Sequence, residues 1–166
     1  SEAQSGANPL SSPFSNSNNP QTICVRLENS LTGCVNAYGS FQVKVNQLPI
    51  VSNVADFEIC DDDTNDGIAQ FNLQDKTPEV LGNQTGIAVT YYLSQADADS
   101  ASNMLPNVYT NVSNPQTIYY QMYNVTTHCV STGQFDLVVN ASPNVVLPTA
   151  LEVCDPDSDG IHHFNL

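Results

Sequence analysis

Short strings of this chain return almost unchanged about 95 residues later. Asn19-Pro20-Gln21-Thr22-Ile23 recurs as Asn114-Pro115-Gln116-Thr117-Ile118, Glu58-Ile59-Cys60-Asp61 as Glu152-Val153-Cys154-Asp155, and Phe71-Asn72-Leu73 as Phe164-Asn165-Leu166. A period of roughly 94 residues is the size of one small β-domain and far exceeds a solenoid turn. The phase of the repeat divides the chain into the C-terminal part of one unit (1–49), one complete unit (50–143) and the N-terminal part of a third (144–166). The chain therefore reads as an excerpt from a longer array. Tandem copies suit a spacer or binding module better than a catalytic site.

Within the units the apolar residues alternate, and helical periodicity is nearly absent. Ile118, Tyr120 and Met122 share one face, with Tyr119, Gln121 and Tyr123 on the other. Phe135, Leu137 and Val139 alternate with polar neighbours, as do Phe41, Val43 and Val45 in the earlier copy. Val89, Tyr91 and Leu93 are expected to point inward, and Ala69, Phe71 and Leu73 to form an opening strand. Asn46 to Pro49 and Asn140 to Pro143 read as linkers, because proline fixes φ and removes a donor. Gln95 to Asn103 has room for one helical turn. The expected fold is all-β, with about six or seven short strands per unit in an immunoglobulin-like sandwich.

Charge limits the partners. Three Lys and Arg stand against seventeen Asp and Glu, for a formal net charge of −14. Such a chain has too few cations to neutralise phosphates, so nucleic acid and anionic membrane surfaces are not expected as partners. No apolar run approaches the length needed for membrane insertion.

Four of the five cysteines obey the repeat. Cys34 returns as Cys129 in a Thr-x-Cys context, and Cys60 returns as Cys154 before Asp; Cys24 aligns with Tyr119. A regular two-cysteine pattern in small β-units points to disulfides in an oxidising compartment. Two pairings respect the repeat. Cys60 with Cys129 would close one domain, whereas Cys34 with Cys60 and Cys129 with Cys154 would staple successive domains. If residues 68–73 open the sandwich, Cys60 falls at the same end as Cys129, and the within-domain pair is the expected one.

The sharpest chemical motif is acidic. Asp61-Asp62-Asp63-Thr64-Asn65-Asp66-Gly67 returns as Asp155-Pro156-Asp157-Ser158-Asp159-Gly160. Oxygen donors at alternate positions before a glycine can curl round one hard cation, so Asp61, Asp63 and Asn65, with Asp66 adding charge, are expected to hold Ca²⁺. Asp155, Asp157 and Asp159 form the second candidate site. The competing reading is an acidic turn, since Asp, Asn and Gly all favour turns. No Ser/His/Asp set, phosphate loop or paired acid and base stands out, so no enzymatic role is expected.

The long string from Cys60 to Leu73, with Val89-Thr90-Tyr91-Tyr92, Gln95-Ala96-Asp97-Ala98 and Asn114 to Tyr119, resembles repeats in very large cell-surface proteins of Bacteroidetes, especially flavobacteria. Those proteins look like type IX secretion substrates, some of them gliding adhesins. The resemblance implies an extracellular, surface-bound array of immunoglobulin-like domains with an adhesive or stalk role. Its partners would be neighbouring repeats of the same chain, and surface glycans or other surface proteins. The alternative is a carbohydrate-binding module array on a secreted polysaccharide-degrading protein. That reading requires Tyr92, Tyr119 and Tyr123 to form one exposed flat strip.

Overall fold

A computed structural model describes residues 2–143, 146–154, 156, 159–161, 163 and 164. The protein is mostly β, with a sandwich built over residues 57–140 and a separate hairpin ahead of it. The hairpin pairs β1 (Gln21–Glu28) with β2 (Val35–Val43), and a one-turn helix α1 (Glu2–Ser5) packs beside it.

The main sheet takes its strands from all along the second unit. β3 (Phe57–Cys60) lies parallel to β8 (Val130–Asn140), β8 pairs antiparallel with β7 (Gln116–Asn124), and β7 pairs with β5 (Ile87–Tyr92). Two short strands, β4 (Gln70–Asn72) and β6 (Val108–Thr110), make the facing sheet. The pairings β4–β6 and β5–β7–β8 match the B–E and C–F–G pairings of the immunoglobulin sandwich, with the first strand joined to the last. Two-sheet packing needs apolar residues at every second position, and the alternation supplies them. Ile118, Tyr120 and Met122 of β7 and Phe135, Leu137 and Val139 of β8 are buried against Phe71, Leu73 and Val80.

Two local features depart from the expected alternation. Leu73 does not extend β4; it begins a 3-10 turn (Leu73–Lys76) that runs into α2 (Thr77–Leu81), whose Pro78 sits in the first turn. Proline there lacks only an amide that would have no helical partner. In addition, α3 (Gln95–Ser100) lies across the outer face of the main sheet. Ser94 caps it by accepting from the Asp97 amide at 3.1 Å. This helix buries Tyr92 and Gln121, both of which alternation assigns to solvent, and the Gln121 amide donates to the Ala98 carbonyl. Leu93, expected inside, is instead 48% exposed.

The hairpin reproduces the β7–β8 connection bond for bond. In the first copy the Asn29 amide donates to the Cys34 carbonyl and the Gly33 amide to the Asn29 carbonyl; in the second, Asn124 does the same with Cys129 and His128. Asn29 Oδ1 accepts from the Leu31 and Thr32 amides, and Asn124 Oδ1 from those of Thr126 and Thr127. Leu27, Tyr38 and Phe41 of the hairpin remain largely exposed, since no second sheet faces them.

Candidate functional site

The chemistry-bearing residues of the complete unit gather at its two ends. β8 runs the length of the sandwich, and Cys129 immediately precedes its first residue, Val130. Cys60 pairs with Asn140, the last residue of β8. Eleven residues of strand therefore separate the cysteines, about 36 Å at the usual rise. A disulfide requires Cα atoms within roughly 7 Å. The expected Cys60–Cys129 pair is excluded by this register. The expectation took residues 68–73 as the opening strand; the opening strand is β3, and its parallel pairing carries Cys60 to the end opposite Cys129. No two of the five cysteines are bonded to each other within this chain; Cys129 is half-buried and Cys24, Cys34, Cys60 and Cys154 are exposed.

The entry end is where the preceding linker arrives. Ser131 Oγ donates to the Pro49 carbonyl at 2.7 Å, and the Gln84 side chain both accepts from the Ile50 amide at 2.8 Å and donates to its carbonyl at 2.9 Å. Pro49 is buried by this contact. Cys129 lies two residues from Ser131, so the hairpin cysteine sits beside the incoming linker.

The exit end carries the acidic loop. Asp61 is buried, and its two oxygens accept from the Asp62 amide at 2.9 Å and the Gly67 amide at 2.7 Å. Asp62 accepts from the Thr64 hydroxyl at 2.6 Å and amide at 2.8 Å. Those two bonds, the hydroxyl first, hold the Asp62 carboxyl below its ordinary range. Asp66 accepts from the Ile68 amide at 2.9 Å. Asn65, at a positive φ of 48°, aims its side-chain oxygen at the Ser142 amide, 2.7 Å away, and the Ser142 hydroxyl donates to the Asp61 carbonyl. The outgoing linker is thus fastened to the loop.

Both carboxylate oxygens of Asp61 and one side-chain oxygen each of Asp62, Asn65 and Asp66 thus accept from backbone amides, while Asp63 is exposed. Among the described residues, no three His, Cys, Asp or Glu side chains come together as a metal-holding group. Of the expected set Asp61, Asp63 and Asn65, with Asp66 adding charge, Asp61 turns inward to close the loop and Asn65 turns to the linker. Asp155 and Asp157 lie outside the described residues, and Asp159 accepts from the Ile161 amide at 2.8 Å in an equivalent turn.

Asparagine side chains brace the same end. Asn111 is 1% exposed; it accepts from the Ala69 amide at 2.7 Å and donates to the carbonyls of Gly67 and Ser113 at 2.8 and 2.9 Å. Asn111 opens an Asn-Val-Ser sequence, but nothing in the sequence marked it as a buried brace. The tyrosine platform is not formed. Tyr92 is 2% exposed beneath α3, and Tyr123 shares its hydroxyl with His128 Nδ1. Tyr119 stands opposite Tyr92 in the β5–β7 register, half-buried. Among the described residues no helix is long and apolar enough to cross a membrane.

No curated protein matches the chain. A family model described as the Flavobacterium inter-domain disulphide bond domain matches over residues 1–49 and 56–143, the hairpin unit and the sandwich unit respectively. The repeated cysteine pair, one at each end of the sandwich, is in keeping with that description, and the chain belongs to the Flavobacterium inter-domain disulphide bond domain family.

Proposed function

We propose that this chain is a structural segment of a long extracellular surface protein, a stalk or filament that holds an adhesive part away from the cell and in some settings serves gliding. The single observation that carries the reading is the fastening of the chain at opposite ends of one sandwich. Ser131 grips the incoming linker at Pro49, and Asp61 and Asn65 grip the outgoing one at Ser142. A module tied in this way transmits tension along β8 from one end to the other. Membership of a family described by an inter-domain disulphide supports an oxidising location, where such bonds persist. The partners in this reading are neighbouring repeats, with surface glycans or other surface proteins as targets of the adhesive part. The role is structural rather than catalytic, and export by the type IX route belongs to the same reading.

Calcium enters the proposal at the exit end. Asp61 and Asp66 each keep lone pairs beyond the N–H bonds they accept, since a carboxylate offers about four acceptor sites. Asp63 is exposed beside them. A cation there would join the loop to the junction and stiffen it. Equal melting temperatures in excess calcium and in chelator would remove calcium from the account.

The location is tested by labelling intact flavobacterial cells with antibody raised against residues 50–143. Labelling without permeabilisation is the expected result. Signal that appears only after permeabilisation would contradict the reading. The carbohydrate-module alternative loses its observation, because burial of Tyr92 breaks the aromatic strip it requires.

A further inference from the structure

We infer that the inter-domain disulphide joins Cys60 to the hairpin cysteine of the following repeat, and Cys129 to the Cys-Asp cysteine of the preceding one. The inference rests on the proposed function, in which successive modules are cross-linked, and assigns the register of that bond.

Three observations lead to it. First, each module carries its two cysteines at opposite ends: Cys129 at the entry end, where Pro49 is held, and Cys60 at the exit end, beside Asn140. Cys34 occupies the position of Cys129 in the hairpin of its own unit, with the same Asn-centred bonds around it. Second, the exit of one module and the entry of the next are separated by a few residues only. Asn140 neighbours Cys60, and Pro143 is three residues further on. Pro143 is the repeat equivalent of Pro49, whose carbonyl Ser131 holds two residues from Cys129. The same grip on Pro143 by the next module brings that module's hairpin cysteine to the neighbourhood of Cys60. Third, the other inter-domain pairing, Cys34 with Cys60, requires the β1–β2 hairpin to fold back along the second module. The hairpin shows no such packing: Leu27 is 67% and Tyr38 88% exposed.

The bond forms by thiol–disulfide exchange. The two cysteine thiols give up two protons and two electrons as the S–S bond forms. A disulfide-bearing oxidoreductase of the extracytoplasmic compartment accepts both and leaves as a dithiol. Each junction is then spanned twice, by the proline linker and by the disulfide, and rotation about the linker is restricted.

The test is mass-spectrometric mapping of the natural full-length protein, alkylated on intact cells and digested without reduction. The expected product is the Cys60 peptide linked to the hairpin peptide of the next repeat. Recovery of Cys34–Cys60 or Cys129–Cys154 peptides would overturn the register and leave the cross-linked surface array standing. Full alkylation of all these cysteines would overturn the inference and the disulfide part of the proposed function, while surface labelling would stand or fall on its own. The Cys129→Ser variant gives a second readout. It should free one thiol, in the preceding repeat, and leave Cys60 oxidised; a newly alkylated Cys60 would contradict the assignment.

Discussion

Asn114 takes both backbone groups of Val139: its Nδ2 donates to the Val139 carbonyl at 2.6 Å and its Oδ1 accepts from the Val139 amide at 2.9 Å. Asn19 does the same to Val45, at 2.8 and 2.9 Å. The side chain acts as an extra rung of sheet where β8 is about to leave for the linker. Asn114→Ala orphans one donor and one acceptor, and should destabilise the sandwich by about 1–3 kcal/mol. Chemical denaturation of residues 50–143 checks this; an unchanged midpoint would show that water replaces the clamp without loss.

Asn111 should matter more. Its side chain is fully enclosed and bonds three backbone groups from two segments. Asn111→Ala removes all three bonds and empties an enclosed site, at a cost of about 2–3 kcal/mol. The same burial makes the Asn-Val-Ser sequence at this position a poor acceptor for a glycan in the folded protein. Thermal unfolding measures the first effect, and intact mass the second.

Gly39 and Gly133 occupy the same place in the repeat but meet different partners. Gly133 faces Tyr120 across the β7–β8 ladder, and a Cβ there would come within 3.0 Å of the tyrosine side chain. Gly39 faces Val25, with a Cβ contact of an ordinary 3.6 Å. Gly133→Ala should cost about 1–3 kcal/mol through overpacking, lowering the melting temperature by roughly 5–15 °C. Gly39→Ala should be near neutral. Equal effects at the two positions would contradict the packing described.

Acid should weaken the fold by a calculable sign. The Lys76 ammonium, 2.6 Å from Glu79, and then the Ala55 amide hold the Glu79 carboxyl below its ordinary value of 4.5. Ser94 and Asn103 lower Asp97 similarly. A lowered folded value means that the unfolded chain binds protons more readily. The contribution is full above the ordinary carboxylate range and disappears as pH falls through the lower folded values. Denaturation midpoints at pH 7 and pH 3 should differ in that direction, and Glu79→Gln should reduce the difference.

Much of the sandwich was legible in the chain because alternation is a direct record of a half-buried strand. Ile118, Tyr120, Met122, Phe135, Leu137 and Val139 all face the core as their spacing requires. The helix over Tyr92 was not legible in its placement: Ala98 and Gln121 lie 23 residues apart, and nothing local says that one covers the other. The disulfide register failed for a related reason. Whether β3 pairs parallel or antiparallel with β8 is a matter of topology, and four residues of strand carry no mark of direction. The acidic loop shows that side-chain spacing alone does not decide between a cation and a turn, because the same oxygens serve backbone amides equally well.

The central claim is that these modules are strung end to end, each entered and left at opposite poles of its sandwich. Its most direct measurement is the length of the natural protein by electron microscopy of single molecules, compared with variants from which whole repeats of residues 50–143 have been deleted. The account predicts a rod that shortens by about 40 Å for each repeat removed, the length of β8 plus its linker. A compact particle, or a length that does not change with the number of repeats, would contradict it.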